Sequence, residues 1–378
     1  MIQADRDRLV SEFIELVKID SETGYEEKIS VVLKAKFEAL GFTVEEDDAK
    51  EKTGHESNNL ICTLPATKDD ADPIFFNAHM DTVVPGKNIQ PIVENEIIRS
   101  DGTTILCADD KAGVTAILEM VRLVKENDIP HGQLQVIITV GEEAGLVGAK
   151  VLDASLIDAK YGYAVDSHGK VGGLIVASPT QAKFEITCHG KTAHAGVAPE
   201  EGVSAITLGA KAISNMKLGR IDEHTTANIG RFEGGKATNI VSDEATIVAE
   251  ARSLVREKLD HQIEQMKQAC KEAEEEVGGS IDVNVKIMYE GYNHDEQAQV
   301  VQVANEAAKR VGLEPELKAT GGGSDANVIS SYGFPMLNLC VGYENIHTPE
   351  EKIAVSEMMK ISSLLTGIVQ ESATYQAD

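Results

Sequence analysis

Five side chains that can bind a metal ion each follow a short apolar segment of this sequence. They are His79, Asp109, Glu143, Asp166 and His347. The set combines two imidazoles with three carboxylates and contains no thiolate, which suits zinc and also cobalt or manganese. Three carboxylates fit two ions better than one, and two ions about 3.5–4 Å apart need a bridging carboxylate, for which Asp109 is our candidate.

Two further carboxylates lie beside these candidates. Asp81 is two residues from His79, so in an extended chain both side chains point the same way, and one can bind a metal while the other orients it. If Glu143 is a ligand, its neighbour Glu142 is left to take a proton from an activated water and to deliver it to a leaving amine. Together these residues indicate metal-assisted hydrolysis of an amide.

Each motif also has a structural interpretation when it is taken alone. The pair Asp109 and Asp110 precedes a predicted helix and could simply cap it. The pair Glu142 and Glu143 could lie in a solvated loop, and the His79-x-Asp81 pattern is weak by itself. The chemical interpretation depends on all of these residues following strands of one sheet.

The hydrophobic periodicity predicts the elements that would bring the residues together. Helices are expected over residues 5–19, 29–40 and 111–125, and strands over 59–64, 73–78, 134–140 and 161–165. Alternating strands and helices predict an α/β domain with a mixed, mostly parallel sheet flanked by helices. In such sheets ligands bind at the carboxyl ends of the strands, where the candidate residues lie.

The pattern changes near residue 178. Residues 179–291 read as β-α-β-β-α-β, which predicts an inserted ferredoxin-like α+β domain. The predicted elements are strands 183–188, 227–232, 245–252 and 281–289 and helices 199–216 and 257–276. From residue 292 the first pattern resumes, with helices 295–311 and 353–370, a strand 335–341 and a glycine-rich turn 321–323. We therefore predict one domain over 1–178 and 292–378 that is interrupted by a second.

Composition excludes several classes of function. The chain has 378 residues, of which 42% are hydrophobic and 26% charged, as in folded soluble proteins. A formal net charge of -27 opposes binding to nucleic acid or to anionic membranes. The 5 cysteines are scattered, so neither a disulfide framework nor a thiolate zinc site is expected. The N-terminal residues lack a basic and apolar leader, and this predicts a cytoplasmic protein.

The motifs around these residues resemble a known family, the co-catalytic metallopeptidases and amidohydrolases. This family includes peptidase T, glutamate carboxypeptidase, acetylornithine deacetylase and succinyl-diaminopimelate desuccinylase. The resemblance is carried, in family order, by Asn77-Ala-His-Met-Asp-Thr-Val83, Ala108-Asp-Asp-Lys-Ala-Gly113, Gly141-Glu-Glu-Ala-Gly145, Val165-Asp166 and Ile346-His-Thr-Pro349. It covers essentially the whole chain, and the second and third segments are most similar to peptidase T.

The resemblance implies a role for each residue of the motifs. His79 and Asp166 would bind one ion, Glu143 and His347 would bind the other, and Asp109 would bridge them. Asp81 would orient His79, and Glu142 would be the general base. The resemblance also implies a cis peptide bond between Asp109 and Asp110.

The resemblance implies that the inserted domain acts as a lid over the active site and as a dimerisation domain. In dimeric relatives a histidine matching His194 reaches the partner's active site and stabilises the oxyanion. Asn239 and Arg252 match positions that contact substrate, although a turn residue and a surface charge are the alternatives. The loop from Gly321 to Asp325, with Gly322 and Ser324, resembles the substrate-side loop of the family.

The expected activity is that of a metal-dependent exopeptidase on short peptides, a tripeptide aminopeptidase like peptidase T. An amidohydrolase acting on N-acyl amino acids or on C-terminal glutamyl bonds is the first alternative. A noncatalytic dimeric binding protein is the second, but retention of Glu142 beside every ligand counts against it. We expect two divalent ions per chain, a short-peptide substrate and a homodimer formed through the inserted domain.

Overall fold

Two units make up the chain in the computed structural model, which describes residues 2–375. The first comprises Met1–Ala177, His294–Ala319 and Ser324–Asp378, and the second comprises Ser178–Asn293 and Thr320–Gly323. The predicted domain boundaries lie one or two residues from these, and the prediction did not separate residues 320–323 from the first unit. Met1 and residues 376–378, which the predicted ranges include, lie outside the described residues.

Every helix and strand that the periodicity predicts has a counterpart in the structure, which also contains further elements that were not predicted. The helices are α1 Arg6–Val17, α2 Glu27–Ala39, α3 Ala49–Thr53, α4 Ala108–Glu126, α5 Val147–Val151, α6 Ala205–Asn215, α7 Arg256–Val277, α8 Gln299–Arg310, α9 Asp325–Ser331 and α10 Val355–Ser372. The strands are β1 Thr43–Glu46, β2 Leu60–Leu64, β3 Ile74–His79, β4 Ile92–Glu94, β5 Ile97–Arg99, β6 Leu134–Thr139, β7 Tyr161–Ser167, β8 Gly173–Ser178, β9 Thr180–His189, β10 Gly219–Arg220, β11 Thr225–Gly234, β12 Glu244–Ser253, β13 Ser280–Tyr289, β14 Tyr292–Asn293, β15 Glu316–Ala319, β16 Met336–Cys340, β17 Tyr343–Glu344 and β18 Lys352–Ala354.

The large sheet of the first unit has the strand order β1-β2-β6-β3-β7-β16-β8, with β15 beside β8. The central strands β6, β3, β7 and β16 run parallel, whereas β2 is antiparallel to β6 and β8 is antiparallel to β16. Every residue of β3 and β6 is buried, as expected for strands covered on both faces. The predicted mixed, mostly parallel sheet flanked by helices is confirmed.

Helix α4 is buried on nearly all sides and carries the candidate bridging residue at its start. Asp109 and Asp110 have non-helical dihedral angles, so regular helix begins at Lys111, as the periodicity predicts. The peptide bond between Asp109 and Asp110 is cis, as the resemblance implies. Neither carboxylate therefore occupies a regular helical position.

The second unit has the predicted ferredoxin-like topology. Its antiparallel sheet has the order β10-β11-β12-β9-β13, and α6 and α7 pack on the face that carries Ala182, Phe184 and Ile186. The predicted helix 199–216 was wrong over its first residues. Pro199–Glu201 form a single 3-10 turn, and α6 begins only after Ser204, whose side chain accepts a hydrogen bond from the Thr207 amide.

A small antiparallel sheet with the order β17-β18-β5-β4 was not predicted. Its strands have only two or three residues, too few to show a hydrophobic period. Asn95 and Glu96 form the turn between β4 and β5 with φ of 51° and 60°. Strand β18 includes Ile353, so the last helix begins two residues later than predicted.

All five cysteines are buried free thiols, as the sequence predicts. Within residues 2–375, none of the helices combines the length with the apolar composition that crossing a lipid bilayer requires.

Candidate metal and catalytic site

The parallel strands bring the predicted ligands to one edge of the sheet. Strand β3 ends at His79, β7 carries Asp166 one residue before its end, and Glu143 follows β6 after a short turn. Asp109 lies at the start of α4, and His347 follows β16 and β17. Because β6, β3, β7 and β16 are parallel neighbours, these segments leave the sheet on the same side.

The two histidines contact different oxygens of one carboxylate. His79 Nε2 lies 3.1 Å from Asp109 Oδ1 and 3.7 Å from Asp166 Oδ1. His347 Nε2 lies 3.3 Å from Asp109 Oδ2 and 2.8 Å from Glu143 Oε1. His79 is buried, whereas the His347 side chain is 47% exposed. Asp109 thus belongs to a deep ligand group, with His79 and Asp166, and also to an outer ligand group, with Glu143 and His347.

Electrostatic interactions in the site are strong. Burial disfavours the charged imidazolium of His79, but hydrogen bonds with Asp109 and Asp166 outweigh burial and raise the pKa of His79 well above its usual value. Contacts with Asp109 and Glu143 raise the pKa of His347 to about 10. Burial and the charge of Asp109 raise the pKa of Asp166 to about 7. The negative charge of these closely spaced carboxylates would therefore stabilise a bound cation.

This donor set fits two divalent ions. In each of two trios, His79-Asp109-Asp166 and Asp109-Glu143-His347, one ligand atom per residue lies within 4.8 Å of the others. Asp109 directs one oxygen toward each histidine, as a bridging carboxylate must. Nitrogen and oxygen donors without sulfur are compatible with zinc, cobalt or manganese.

Glu142 lies beside the candidate metal ligands. One of its oxygens lies within 4.8 Å of ligand atoms of His79 and Glu143. Burial and the charge of Asp166 raise the pKa of the Glu142 carboxyl well above its usual value. A carboxyl with a raised pKa, at the rim of a cation site, can hold a proton between two steps of a reaction.

Asp81 lies behind His79 and is fully buried. Its Oδ1 is 3.4 Å from His79 Nδ1, but the main-chain oxygen of Asp81 is closer to that nitrogen, at 3.1 Å. The carboxylate also accepts hydrogen bonds from the main-chain amides of Glu142 at 2.9 Å and Glu143 at 3.3 Å. Asp81 thus contacts both His79 and the turn that carries Glu142 and Glu143.

Three supporting side chains were missed by the sequence reasoning. Buried Glu351 accepts hydrogen bonds from the amides of Leu106, Cys107 and Asp109 at 2.8, 2.9 and 3.0 Å. Burial raises the pKa of Glu351 to about 7 although these donors oppose the shift. A buried acid four residues after His347 gives no periodic signal, so only the contacts identify it.

The other two missed side chains hold Asp166. Asn338 accepts from the Asp166 amide at 3.0 Å and donates to the Asp166 carbonyl at 2.9 Å. The Tyr343 hydroxyl lies 3.1 Å from Asp166 Oδ1. An asparagine within the apolar strand β16 was a signal that could have been noticed, because a buried amide needs partners.

Four of the five predicted substrate residues, His194, Asn239, Arg252 and Gly322, lie in the second unit. His194 and Asn239 are exposed and lie on neighbouring backbone segments, where the Ala195 amide donates to the Asn239 carbonyl at 3.0 Å. Arg252 donates from Nη1 to the Gly321 carbonyl at 3.0 Å. Arg252 therefore contacts the loop that also contains Gly322.

Ser324 belongs to the first unit, where it caps α9. It is buried, and its Oγ accepts a hydrogen bond from Asn338 Nδ2 at 3.1 Å. Because Asn338 also holds Asp166, the serine is connected to the deep ligand group.

Comparison with known sequences gives consistent matches. A model of Peptidase family M20/M25/M40 matches residues 75–371. The YqjE protein of Bacillus subtilis (strain 168) is 56% identical over 366 residues, which cover 97% of this chain and 98% of that protein. Peptidase T of Geobacillus thermodenitrificans (strain NG80-2) is 28% identical, with 97% and 98% covered.

Solved structures match over the same length. Aminopeptidase PepT from Bacillus cereus ATCC 10987 is 57% identical, with a TM-score of 0.94 over 98% of this chain and 100% of that chain. A tripeptidase from Staphylococcus aureus is 46% identical, with a TM-score of 0.96 over 99% of this chain and 100% of that chain.

Proposed function

The chain belongs to the peptidase family M20/M25/M40, and from this membership we propose that it is a metal-dependent aminopeptidase that removes the N-terminal residue of tripeptides. The observation that carries the proposal is the pair of ligand trios that share Asp109 beside Glu142. Two relatives named for aminopeptidase and tripeptidase activity, similar over nearly the full length, support the substrate class.

Zinc is the proposed metal, with cobalt or manganese as alternatives, and two ions are proposed per chain. His79 and Asp166 would hold one ion, Glu143 and His347 the other, with Asp109 between them. When bound, two such ions polarise the scissile carbonyl and acidify the attacking water. The separation of the histidines onto different oxygens of Asp109 supports this division of ligands.

Glu142 is the proposed general base and acid. Its carboxylate takes a proton from the attacking water and then delivers it to the amine of the leaving fragment. The raised pKa of Glu142 favours the protonated state that lies between these two transfers. Asp81 orients His79 through its main-chain oxygen and carboxylate, and it holds the amides of Glu142 and Glu143.

Residues 179–291, which lie within the second unit, are the proposed lid and dimerisation domain. In it His194 would reach the partner's site and stabilise the oxyanion, while Asn239 and Arg252 would contact substrate together with the loop of Gly322 and Ser324. Arg252 is a suitable partner for a peptide carboxylate, because a guanidinium binds carboxylates in a bidentate manner.

The edge of β11 supports dimerisation. Strand β10 pairs only with Thr226 and Ala227, and no further strand of residues 2–375 pairs with the outer edge of residues 228–234. Phe232 beside this edge is 37% exposed, and Ile206 is 39% exposed. An unpaired edge with exposed apolar side chains is suited to strand pairing between two copies.

A cytoplasmic location is also proposed, with short peptides rather than nucleic acid or membranes as partners. The formal charge of -27 supports the choice of partner, since it repels phosphate backbones and anionic lipids.

The deciding experiment is a peptide panel with purified protein. Trialanine, dialanine, N-acetyl-trialanine and N-acetyl amino acids are incubated with zinc, cobalt or manganese, before and after chelation. We expect release of alanine from trialanine only with metal, and loss of cleavage when the N-terminal amine is acetylated. Cleavage of the N-acetyl amino acids alone supports the deacylase alternative. Absence of metal-dependent cleavage of every peptide contradicts the proposal.

A further inference from the structure

The connection between α1 and α2, residues 18–26, lies against the backbone of the site. The Thr82 amide donates to the Ser21 carbonyl at 3.0 Å, and the Thr23 amide donates to the Thr82 carbonyl at 3.0 Å. These bonds form a short parallel pairing with the segment that continues β3 beyond His79. The connection thus lies beside the segment that leaves β3 after His79, near the edge of the sheet where the ligands lie.

The same connection contacts two other segments of the site. Lys111, which is buried just after the cis peptide, donates from Nζ to the Ile19 carbonyl at 2.7 Å. Buried Glu26 lies 3.0 Å from His55 Nδ1. The His55 ring packs directly on Gly141, where an added Cβ would meet it at 2.3 Å. The connection therefore contacts the start of α4 directly, and through His55 it contacts the turn before Glu142.

Thr23 is the residue of this connection that contacts Asp81. Its hydroxyl donates to Asp81 Oδ2 at 2.7 Å. The remaining donors to this carboxylate include the Glu142 amide, at 2.9 Å from Oδ1, and the Glu143 amide, at 3.3 Å from Oδ2. Oδ2 therefore has one short bond, from Thr23, and one long bond, from Glu143.

If the Thr23 hydroxyl is removed, Asp81 Oδ2 keeps only its long hydrogen bond. The carboxylate can then rotate about χ2, because this torsion of aspartate has a broad energy well. Rotation of Asp81 would move both acceptors away from the amides of Glu142 and Glu143. It would thereby displace the proposed base and one proposed ligand together.

We propose that Thr23 is a positioning residue for the reaction, because its hydroxyl sets the orientation of Asp81 and, through it, the position of the Glu142-Glu143 turn. The inference rests on the proposed function for the identity of the reaction. Thr23 itself acts through Asp81 and has no role in bond making.

The test compares Thr23→Val, which removes the hydroxyl at nearly constant shape, with Thr23→Ser, which keeps it. We expect Thr23→Val to lower kcat on trialanine by about 10-fold to 100-fold, since a misplacement of about 1 Å can cost that much, with KM changed less than about twofold. Thr23→Ser should restore kcat to within about threefold of wild type. Thr23→Ala, which needs less space than threonine, replaces the valine variant if that variant does not fold.

Thr366→Val is the matched control, because it also removes a buried hydroxyl, one that donates to the Ser362 carbonyl at 2.8 Å within α10. Its kcat should equal that of wild type.

Hydrogen exchange of metal-free protein gives a readout that does not depend on turnover. Peptides that contain Glu142 and Glu143 should exchange faster in Thr23→Val than in wild type and Thr366→Val. Equal kcat and equal exchange in Thr23→Val and wild type overturn the inference. If wild type cleaves no substrate, the proposed function fails while the exchange comparison still decides the role of Thr23: faster exchange supports it, and equal exchange overturns it.

Discussion

Asp109 illustrates how a single carboxylate organises the site. Its two oxygens face two histidines that are far apart in the sequence, at 3.1 Å from His79 and 3.3 Å from His347. Contacts with these imidazoles outweigh burial and lower the pKa of Asp109, so the group stays ionised. An ionised carboxylate with two separately directed oxygens is what a pair of cations requires.

Replacement of the proposed base should separate catalysis from metal binding. Glu142→Gln keeps the shape of the side chain but cannot accept a proton, so we expect kcat to fall by about 10²-fold to 10⁴-fold. Metal content, measured by atomic emission, should stay near two ions per chain. Exposed Glu296→Gln is the control and should retain wild-type activity. Full activity of Glu142→Gln would show that the base is a different residue.

Glu351 should make the stability of the metal-free protein depend on pH. Its pKa is raised from 4.5 to about 7 in the folded state, so between these values the folded protein binds more protons than the unfolded chain. The free energy of unfolding therefore falls as pH rises from 5 to 7, by up to about 1.4 kcal/mol per pH unit from this group.

Urea unfolding of wild type and Glu351→Gln at pH 5, 6 and 7 tests this expectation. The variant should lose less stability than wild type over this range, because glutamine does not titrate. Parallel curves for the two proteins would contradict the assignment.

At the scale of elements, the close approach of α4 to β7 holds Asp109 and Asp166 together. Gly113 makes this approach possible, since an added Cβ would lie 2.2 Å from the Val165 carbonyl oxygen and 2.3 Å from Asp110 Oδ1. A side chain at this position must push the helix away from the strand that carries Asp166.

Gly113→Ala should therefore destabilise the protein by about 1–3 kcal/mol, the usual effect of overpacking. Activity should fall with it, because the ligands on α4 and β7 separate. Gly230→Ala is the control, since the nearest atom that its new methyl group would meet beyond its chain neighbours is the Val248 carbonyl oxygen, at 3.7 Å. Chemical unfolding measures both variants, and equal free energies of unfolding would refute the packing argument.

At the scale of the whole molecule, the proposed dimer has a consequence for mixed variants. If His194 acts in the partner's site, His194→Ala and Glu142→Ala chains should each be inactive or nearly so. Mixed by reversible dissociation, they form heterodimers with one complete site. About one quarter of wild-type activity should return, because random pairing makes half of the dimers mixed and one of two sites complete.

Sedimentation of the mixture checks that dimers are present. Each variant incubated alone is the control and should stay inactive. Dimers without recovered activity would show that the site is not shared between subunits.

The acidic surface is a property of the whole molecule rather than of the site. Of the 62 acidic residues, only a few, including Asp81, Asp109, Glu142, Glu143 and Asp166, converge at the sheet edge. The remaining charge keeps the surface well solvated and disfavours polyanionic partners.

The types of the elements and the identity of the candidate ligands follow from the amino-acid sequence alone. Buried strands such as β3 and the apolar stripe of α4 follow from local periodicity, and polar side chains at strand ends are visible in any reading of the chain. The β-α-β-β-α-β order of the second unit was recognisable for the same reason, because each of its elements is long enough to show a period.

Which of these atoms lie in contact depends on the packing of the whole chain. His347 and Glu143 are 204 residues apart, and their contact depends on the order of strands in the sheet, which no local pattern encodes. The contacts of Thr23 with Asp81 and of Glu351 with the Asp109 turn are equally nonlocal. Hydrophobic periodicity indicates only which face of its helix or strand a residue occupies. Hydrogen bonds between distant segments depend on how the helices and strands pack together.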